Sequence, residues 1–297
     1  PLVNLRLGTQ THPFWKEHGD AWAIRTRYGM VAPETLPLRA HAANMIVRYL
    51  DQGGARFCPH DPGFQEWAIA STGKVMDLGF DAAFLDQPFG EDYCFSDRHG
   101  HPVPAAGHAG ACSWVARAAE LVRARSPGGY VIGEVPDLWN TRLLDLWWFW
   151  DWSWVRSEVF RYTLPESLQS WVIDAYDHED QLPRAFAGGF VLNLNVRSLE
   201  RTLPEVPEFA ARVSRLADLR AATRSFTVDG RFVDRTGLSI EAGGDAVAAV
   251  YEAGDRVGVV LGDSDRARIA LDARVLGERK VGGVRLYRED GSVREPR

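Results

Sequence analysis

The sequence predicts an α/β protein, a (β/α)8 TIM-type barrel followed by a small antiparallel β domain. Strand-like apolar runs alternate with helical segments over residues 1–225, which is the pattern of parallel βα units. From residue 226 onward, short alternating runs are separated by Gly and Asp turns, as in antiparallel hairpins. We therefore expect a barrel over residues 1–225 and a β-sandwich domain over residues 226–297.

The barrel elements are predicted from apolar periodicity and from the residues that end each segment. Gly79 favours the end of a helix, and the long polar segment 90–110 is typical of a functional loop. Strands are predicted at residues 2–7, 81–86, 130–134, 146–153, 159–164 and 190–195, and helices at 37–52, 64–78, 111–125 and 207–224. Since a closed barrel of this type has eight strands and six are found, we expect the chain to lack the first strands of its barrel.

Composition excludes several partner classes. The chain has 297 residues, of which 45% are hydrophobic, so it can bury a sizeable core. A net charge of -6 gives no basic surface for nucleic acid, and no apolar run reaches the roughly 18 residues of a membrane span. Cys58, Cys94 and Cys112 are too few for a disulfide framework, and with no visible export signal they favour the cytoplasm. The oligomeric state does not follow from the sequence.

Two successive predicted strands end in a carboxylate, Asp86 and Glu134. Catalytic groups in a parallel barrel project from the carboxyl ends of its strands. Because neighbouring strands lie about 4.8 Å apart, the two carboxyls can approach to roughly 5 to 6 Å, the separation that retaining glycosidases use. We predict Asp86 as nucleophile and Glu134 as acid/base. The alternative is that each acid caps a helix or pairs with an arginine.

Aromatic residues give a second indication of a sugar site, since pyranose rings stack on tryptophan. The segment after Glu134 holds six tryptophans, of which at most two are expected to touch substrate, because others must pack in the core: Trp139, Trp147, Trp148, Trp150, Trp152 and Trp154. Trp139 is the predicted sugar contact. Asp151 is the candidate third acid, with a buried structural role as the alternative. Gln87 and Asn193 are further candidates for substrate binding.

The loop after the Asp86 strand is rich in histidine and should overhang the same pocket. His99 and His101 are predicted to bind sugar hydroxyls, and His60 is expected at the rim of the pocket. The alternative is a metal site in which His99 and His101 join three other residues of the loop, namely Cys94, Asp97 and His108. Because a His-x-His pair is common and no paired Cys-x-x-Cys accompanies it, no metal and no cofactor are predicted.

At these motifs the sequence resembles a known group of proteins. The motifs are Phe57-Cys58-Pro59-His60, the run from Gly79 to Gln87, His99-Gly100-His101-Pro102 and Gly133-Glu134, within residues 2–235. They are similar to glycoside-hydrolase-like barrels of the α-amylase and endo-α-N-acetylgalactosaminidase superfamily. The resemblance implies a nucleophilic Asp after the fourth barrel strand and an acid/base Glu after the fifth, an α-linked sugar and a C-terminal β domain. A third acid like the amylase stabiliser is not evident.

The sequence thus predicts a retaining glycoside hydrolase whose partner is an oligosaccharide or glycoside substrate. Two alternatives stay open. A non-catalytic carbohydrate-binding barrel would keep the tryptophans but would not need Asp86 and Glu134 to be close together. A metal-dependent hydrolase would require the side chains of the loop from Cys94 to His108 to converge on one point.

Overall fold

The structure is a computed structural model that describes residues 2–4, 7–9, 13–32, 54–88, 92–134, 138–149, 154–173, 181–194, 202–242, 247–262, 267–278 and 280–295. The chain forms two compact units, Pro1–Trp147 and Trp148–Arg297. The domain boundary predicted after residue 225 stays a prediction. The predicted helix at residues 37–52 lies outside the described residues.

The first unit alternates strands and helices, and its described elements are, in chain order, β1 (Leu2–Asn4), β2 (Leu7–Thr9), a π-helical turn (Trp15–Gly19) that runs into α1 (Asp20–Trp22), β3 (Gly54–Arg56), α2 (Pro62–Asp77), β4 (Ala82–Asp86), β5 (Tyr93–Cys94), β6 (Ala105–Ala106), α3 (His108–Arg125) and β7 (Tyr130–Glu134). Strand β8 (Leu146–Phe149) contains the boundary between the units. The strands predicted at residues 81–86 and 130–134 are confirmed as β4 and β7.

Strands β1, β4 and β7 are parallel neighbours in that order. Phe84 of β4 lies opposite Leu2 of β1 and Ile132 of β7. Burial alternates along β4 and β7. Leu85 and Val131 are fully buried, whereas the next residue along each strand is half-buried. Helices α2 and α3 pack on these strands, which identifies the fully buried face as the one they cover. The predicted α/β architecture with a parallel sheet is confirmed.

Helix α2 begins and ends where its sequence specifies. The Asp61 carboxylate accepts a hydrogen bond from the Phe64 amide at 2.9 Å, and Pro62 occupies the first helical position. Gly79 adopts a φ of 88° just after the C-terminal end, a left-handed conformation that favours glycine. The predicted helix at residues 64–78 and its glycine terminator are therefore confirmed.

A second part of this unit consists of residues 13–32, 54–61 and 92–107, called here the Cys–His region. Its strands are two or three residues long: β5 pairs with β6, and β3 pairs with β2, which lies outside the region, both antiparallel. Two isolated bridges, Ala23 with Phe57 and Arg25 with Val31, connect the rest. Regular backbone pairing therefore supplies little of the order in this region.

The second unit contains both parallel and antiparallel strands. Its elements are α4 (Trp154–Thr163), β9 (Leu168–Ile173), α5 (Gln181–Ala187), β10 (Val191–Leu194), a 3-10 turn (Leu203–Glu205), α6 (Pro207–Ala222), α7 (Arg224–Thr227), β11 (Arg231–Phe232), β12 (Leu238–Ala242), β13 (Val247–Ala253), β14 (Arg256–Gly262), β15 (Ala267–Leu271), α8 (Ala273–Leu276), β16 (Leu286–Tyr287) and β17 (Val293–Arg294). Strands β9 and β10 are parallel, and β11, β13 and β14 form an antiparallel sheet. Hydrophobic side chains of α5, β11 and β13 share one buried cluster.

One predicted strand is wrong and one strand was missed. Residues 159–164 lie mostly in helix α4, in which Arg161 is buried and Val159 and Tyr162 are exposed. Strand β9 was not predicted because it buries Gln169 and Ser170, so its sequence lacks a continuous apolar run. None of the helices among the described residues is long and apolar enough to cross a lipid bilayer.

Candidate functional site

Asp86 and Glu134 end two neighbouring parallel strands. Leu85 of β4 lies opposite Gly133 of β7, so the two carboxylates come next along their strands at the same level. Both side chains are half-buried and lie on the face that alternates with the fully buried one. Asn4 of β1 lies opposite Asp86 from the other side. The structure thus places the two predicted catalytic acids side by side, while their chemical roles stay predictions.

The backbone turns sharply directly after Asp86. Gln87 has a φ of 50°, a left-handed conformation that costs a non-glycine residue about 1 to 2 kcal/mol. The carbonyl of Pro88 then accepts a hydrogen bond of 2.7 Å from the buried Asn140 side chain. This bond fixes the turn, so Gln87, the predicted substrate ligand, occupies a defined position beside the candidate nucleophile.

Gly133 lies just before the second carboxylate in a position that is tightly packed. A Cβ atom there would come within 2.4 Å of a Leu144 methyl group, and within 3.1 to 3.2 Å of the Trp147 ring and Pro88. Trp147 is itself buried, so it is one of the tryptophans that pack in the core rather than meet substrate. A larger residue at this position would require the Leu144 side chain to move.

Trp139, the predicted sugar contact, is 61% exposed, and its ring lies nearly parallel to that of His108 with 5.7 Å between the centroids. An exposed indole fixed in this way presents a flat apolar surface of the kind on which sugar rings stack. Asp151, the predicted third acid, and its neighbours Trp150 and Trp152 lie outside the described residues. Asn193 is half-buried in β10 of the second unit, opposite Val172 of β9.

Four side chains of the Cys–His region converge on one point: Cys58, Cys94, His99 and His101. One potential ligand atom of each lies within 4.8 Å of all the others. The Cys94 sulfur is 3.3 Å from Nδ1 of His99, and the Cys58 sulfur is 3.5 Å from Nε2 of His101. Sequence reasoning named three members of this cluster as possible metal ligands, and it missed Cys58. Asp97 and His108, which it also named, are not part of the cluster.

The outward nitrogen of each histidine donates to a carbonyl. Nε2 of His99 donates to the oxygen of Ala21 at 2.7 Å, and Nδ1 of His101 donates to that of Pro102 at 2.8 Å. A carbonyl oxygen can only accept, so in a neutral imidazole the proton lies on the outward nitrogen and the inward nitrogen carries a lone pair. Their predicted contacts with sugar hydroxyls stay untested. His60 is engaged with the carbonyl of Ala106 through Nε2 at 2.8 Å.

Contact between Cys58 and Cys94 shifts their pKa values in opposite directions. A hydrogen bond from Cys58 and further bonds from His99 and backbone amides outweigh burial and lower the pKa of Cys94 below its usual range. Its hydrogen bond to Cys94, together with burial, raises the pKa of Cys58 above its usual range. Burial disfavours the charged form of His99, but the adjacent Cys94 sulfur and the Ala21 carbonyl raise the pKa of that imidazole. The pair therefore favours one thiolate next to one thiol.

Solved structures with a similar fold are glycoside hydrolases. A quadruple mutant of the α-N-acetylgalactosaminidase NagBb from Bifidobacterium bifidum matches with a TM-score of 0.56 at 14% identity, over 91% of this chain and 41% of that one. The GH36 α-galactosidase AgaA from Geobacillus stearothermophilus matches with a TM-score of 0.52 at 12% identity, over 86% and 34%. The α-amylase GTA from Geobacillus thermoleovorans, in complex with acarbose, matches with a TM-score of 0.51 at 12% identity, over 86% and 63%.

The chain has a glycoside-hydrolase-like fold, as its motifs predicted. It spans less than two thirds of the length of each of these solved proteins. No family model matches the sequence, and no curated protein sequence matches it either.

Proposed function

We propose that this chain carries the active site of a retaining glycoside hydrolase that acts on an α-linked sugar. The observation that carries the proposal is the placement of Asp86 and Glu134 at the carboxyl ends of adjacent parallel strands, on one half-buried face. Parallel-barrel enzymes place their catalytic groups at this end of the strands. The similarity to glycosidase structures supports the reaction class, and it also supports a closed (β/α)8 barrel followed by a β domain as the complete architecture.

The proposed reaction has two steps. In the first, a carboxylate oxygen of Asp86 attacks the anomeric carbon while Glu134 donates its proton to the glycosidic oxygen, so the glycosidic bond breaks and the aglycone leaves. In the second, Glu134 takes a proton from water, the water oxygen attacks the anomeric carbon, and the bond to Asp86 breaks. The Asp86 carboxylate and protonated Glu134 are both restored, so no cofactor or oxidant is consumed.

The same fold in solved structures includes an α-N-acetylgalactosaminidase, an α-galactosidase and an α-amylase. We therefore propose α-galactosides, α-N-acetylgalactosaminides and α-glucosides as the first substrates to compare. Stacking on Trp139 would orient the sugar ring, with Gln87 and His60 as hydroxyl ligands. Asp151 and Asn193 stay predicted substrate ligands.

The test is turnover of nitrophenyl α- and β-glycosides by the full-length gene product beside Asp86→Asn and Glu134→Gln. We expect Asp86→Asn to lower kcat by about 10⁴-fold, as loss of a nucleophile does in other hydrolases. Matched controls are Asp81→Asn, which changes an exposed carboxylate just before the same strand, and Glu120→Gln, which changes an exposed glutamate of α3. Both controls should retain activity. If a control variant lost as much turnover as the catalytic variant with which it is matched, the assignment would be contradicted.

The two roles can be separated by leaving group and by azide. Glu134→Gln should lose about 10²- to 10⁴-fold on a substrate whose leaving group needs a proton, and far less on dinitrophenyl glycosides. Azide should rescue Glu134→Gln with a glycosyl azide of retained α configuration, whereas Asp86→Gly should give the β-azide. Proton NMR of the wild-type reaction should show the α-anomer of the free sugar first. An initial β-anomer would contradict the retaining mechanism.

A carbohydrate-binding barrel without catalysis remains the competing function. It predicts no turnover on any glycoside, together with oligosaccharide binding that survives Asp86→Asn and Glu134→Gln and is lost in Trp139→Ala. Isothermal titration with the same oligosaccharides distinguishes this result from an inactive, unfolded preparation. The metal-dependent hydrolase is not favoured, because a catalytic zinc keeps an open coordination position, whereas four protein ligands converge in the Cys–His region.

A further inference from the structure

We propose that Cys58, Cys94, His99 and His101 bind one zinc ion in a closed, tetrahedral, structural site. The assignment does not depend on the proposed glycosidase activity, because it rests on the geometry of these four side chains alone. Their ligand atoms lie within 4.8 Å of one another. Cys58 and His99 are fully inaccessible to solvent, and Cys94 is 1% exposed.

Two distances between ligand atoms match the edges of a zinc tetrahedron. With Zn–S bonds of about 2.3 Å and Zn–N bonds of about 2.0 to 2.1 Å, tetrahedral angles place sulfur and nitrogen about 3.5 Å apart. The two sulfur–nitrogen pairs are separated by 3.3 Å, from Cys94 to His99, and by 3.5 Å, from Cys58 to His101. Because all four ligand atoms lie within 4.8 Å of one another, a metal ion can bind after side-chain shifts on the order of 1 Å.

When neutral, both histidines are held in the tautomer that a metal requires. Their outward N–H groups donate to the carbonyls of Ala21 and Pro102, which leaves a lone pair on each inward nitrogen. Metal-bound histidines in proteins commonly donate their second N–H to a carbonyl or carboxylate, which fixes the orientation of the ring. Carbonyls of two separate chain segments accept these bonds from the two neighbouring histidines. This arrangement supports metal ligation independently of the distances.

Charge also favours an ion at this site. Cysteine binds metal in its thiolate form. Binding would release one proton from each thiol that still carries one, and two thiolates balance the double charge of the ion. The buried site would thus be neutral, as its low exposure requires.

The donor set selects the metal. Two sulfur and two imidazole nitrogen ligands in a tetrahedron suit zinc, which has no redox chemistry in proteins. Among the described residues, the buried apolar cluster around the two cysteines adds Ile24, with half-buried Ala32 against it. One ion would join the end of β3, strand β5 and the loop that follows it, while His99 also reaches the segment before Ala23 through Ala21.

The first measurement is the metal content of the wild-type, full-length protein by plasma mass spectrometry, with the protein purified without chelator under reducing conditions. We expect one zinc ion per chain. Replacement by Co²⁺ should give the intense visible bands of tetrahedral cobalt and the ultraviolet thiolate-to-cobalt transition. Neither readout requires a variant to fold. A protein that takes up no metal even when supplied with Zn²⁺ during refolding, or whose Cys58–Cys94 peptides are joined by a disulfide, would overturn the proposal.

Variants then test the ligand set. Cys58→Ser, Cys94→Ser, His99→Asn and His101→Asn should each lose the ion or the tetrahedral cobalt spectrum. Three controls should keep both: Cys112→Ser, which changes the half-buried third cysteine, Asp97→Asn in the loop, and His108→Asn at the start of α3, all outside the cluster. If Asp97→Asn or His108→Asn lost zinc while a variant of a cluster residue kept it, the ligands would be a different set from the one proposed.

Removal of the ion tests its structural role. Chelation should lower the thermal unfolding midpoint of the wild type by several degrees, and Zn²⁺ should restore it, because a ligand that binds only the folded chain stabilises it. The chelated Cys112→Ser control should behave like the wild type. A midpoint unaffected by chelation, despite removal of the ion, would contradict a structural site. If the glycosidase proposal fails while zinc is found, the metal assignment stands unchanged.

Discussion

In the first unit, β4 and β7 bury a continuous apolar face under two helices, whereas the Cys–His region is ordered by polar, sulfur and aromatic contacts between short segments. Leu85 and Val131 of the strands are fully inaccessible to solvent. Around Cys58 and Cys94, by contrast, the buried apolar cluster of the described residues adds Ile24, and the other apolar contacts of the region include the rings of Phe14, Trp22 and Phe57. Burial of one continuous apolar face therefore orders the strand region, while the Cys–His region depends on contacts between particular side chains of separate segments.

The largest expected effect comes from Leu85→Ala in the strand region. Removing this fully buried side chain leaves a cavity under α2 and α3, so we expect the free energy of unfolding to fall by about 2 to 5 kcal/mol. Urea unfolding followed by circular dichroism measures it. Leu85→Met, which keeps the volume, should cost less than about 1.5 kcal/mol. The zinc content of Leu85→Ala should not change, and a loss of zinc would break the distinction between the two regions.

A smaller effect is expected for Gly110→Ala, where α3 meets the Cys–His region. A Cβ atom at Gly110 would lie 2.6 to 2.7 Å from backbone atoms of Pro59 and His60, which follow Cys58 directly. Because backbone atoms cannot rotate away, we expect a loss of about 1 to 3 kcal/mol in unfolding free energy. Transfer of zinc to a colorimetric chelator should also become faster. An increase in stability would contradict this close contact.

The smallest effect, of opposite sign, is expected for Gly73→Ala in α2. The nearest atom to a Cβ there is a Leu121 methyl carbon at 3.7 Å, an ordinary van der Waals contact. Because alanine loses less backbone entropy than glycine in a helix, the substitution should stabilise the protein by about 0.5 to 1 kcal/mol. Gly110→Ala, also in a helix, is the matched comparison in the same urea experiment. Equal effects of the two substitutions would mean that the Pro59–His60 contact is not decisive.

Local patterns were sufficient where a segment's own residues decide its conformation. The apolar runs that close on Asp86 and Glu134 predicted two strands that end in carboxylates, and both are present. The same reasoning failed for residues 159–164, because Val, Phe, Tyr and Thr favour strands. There, tertiary contacts prevail: Arg161 is buried in helix α4, and its Nε donates to the Gly188 carbonyl at 3.2 Å.

The sequence by itself determined the α/β class, the two strands that carry Asp86 and Glu134, and helix α2 with its glycine terminator, because periodicity and end residues act within a few positions of each other. The convergence of Cys58 on a loop 43 residues away, at His101, was decided only by the tertiary structure. No local pattern encodes that approach. It depends on how β3, β5 and the segment before Ala23 pack together, and side chains distant in sequence meet only when such long-range contacts form.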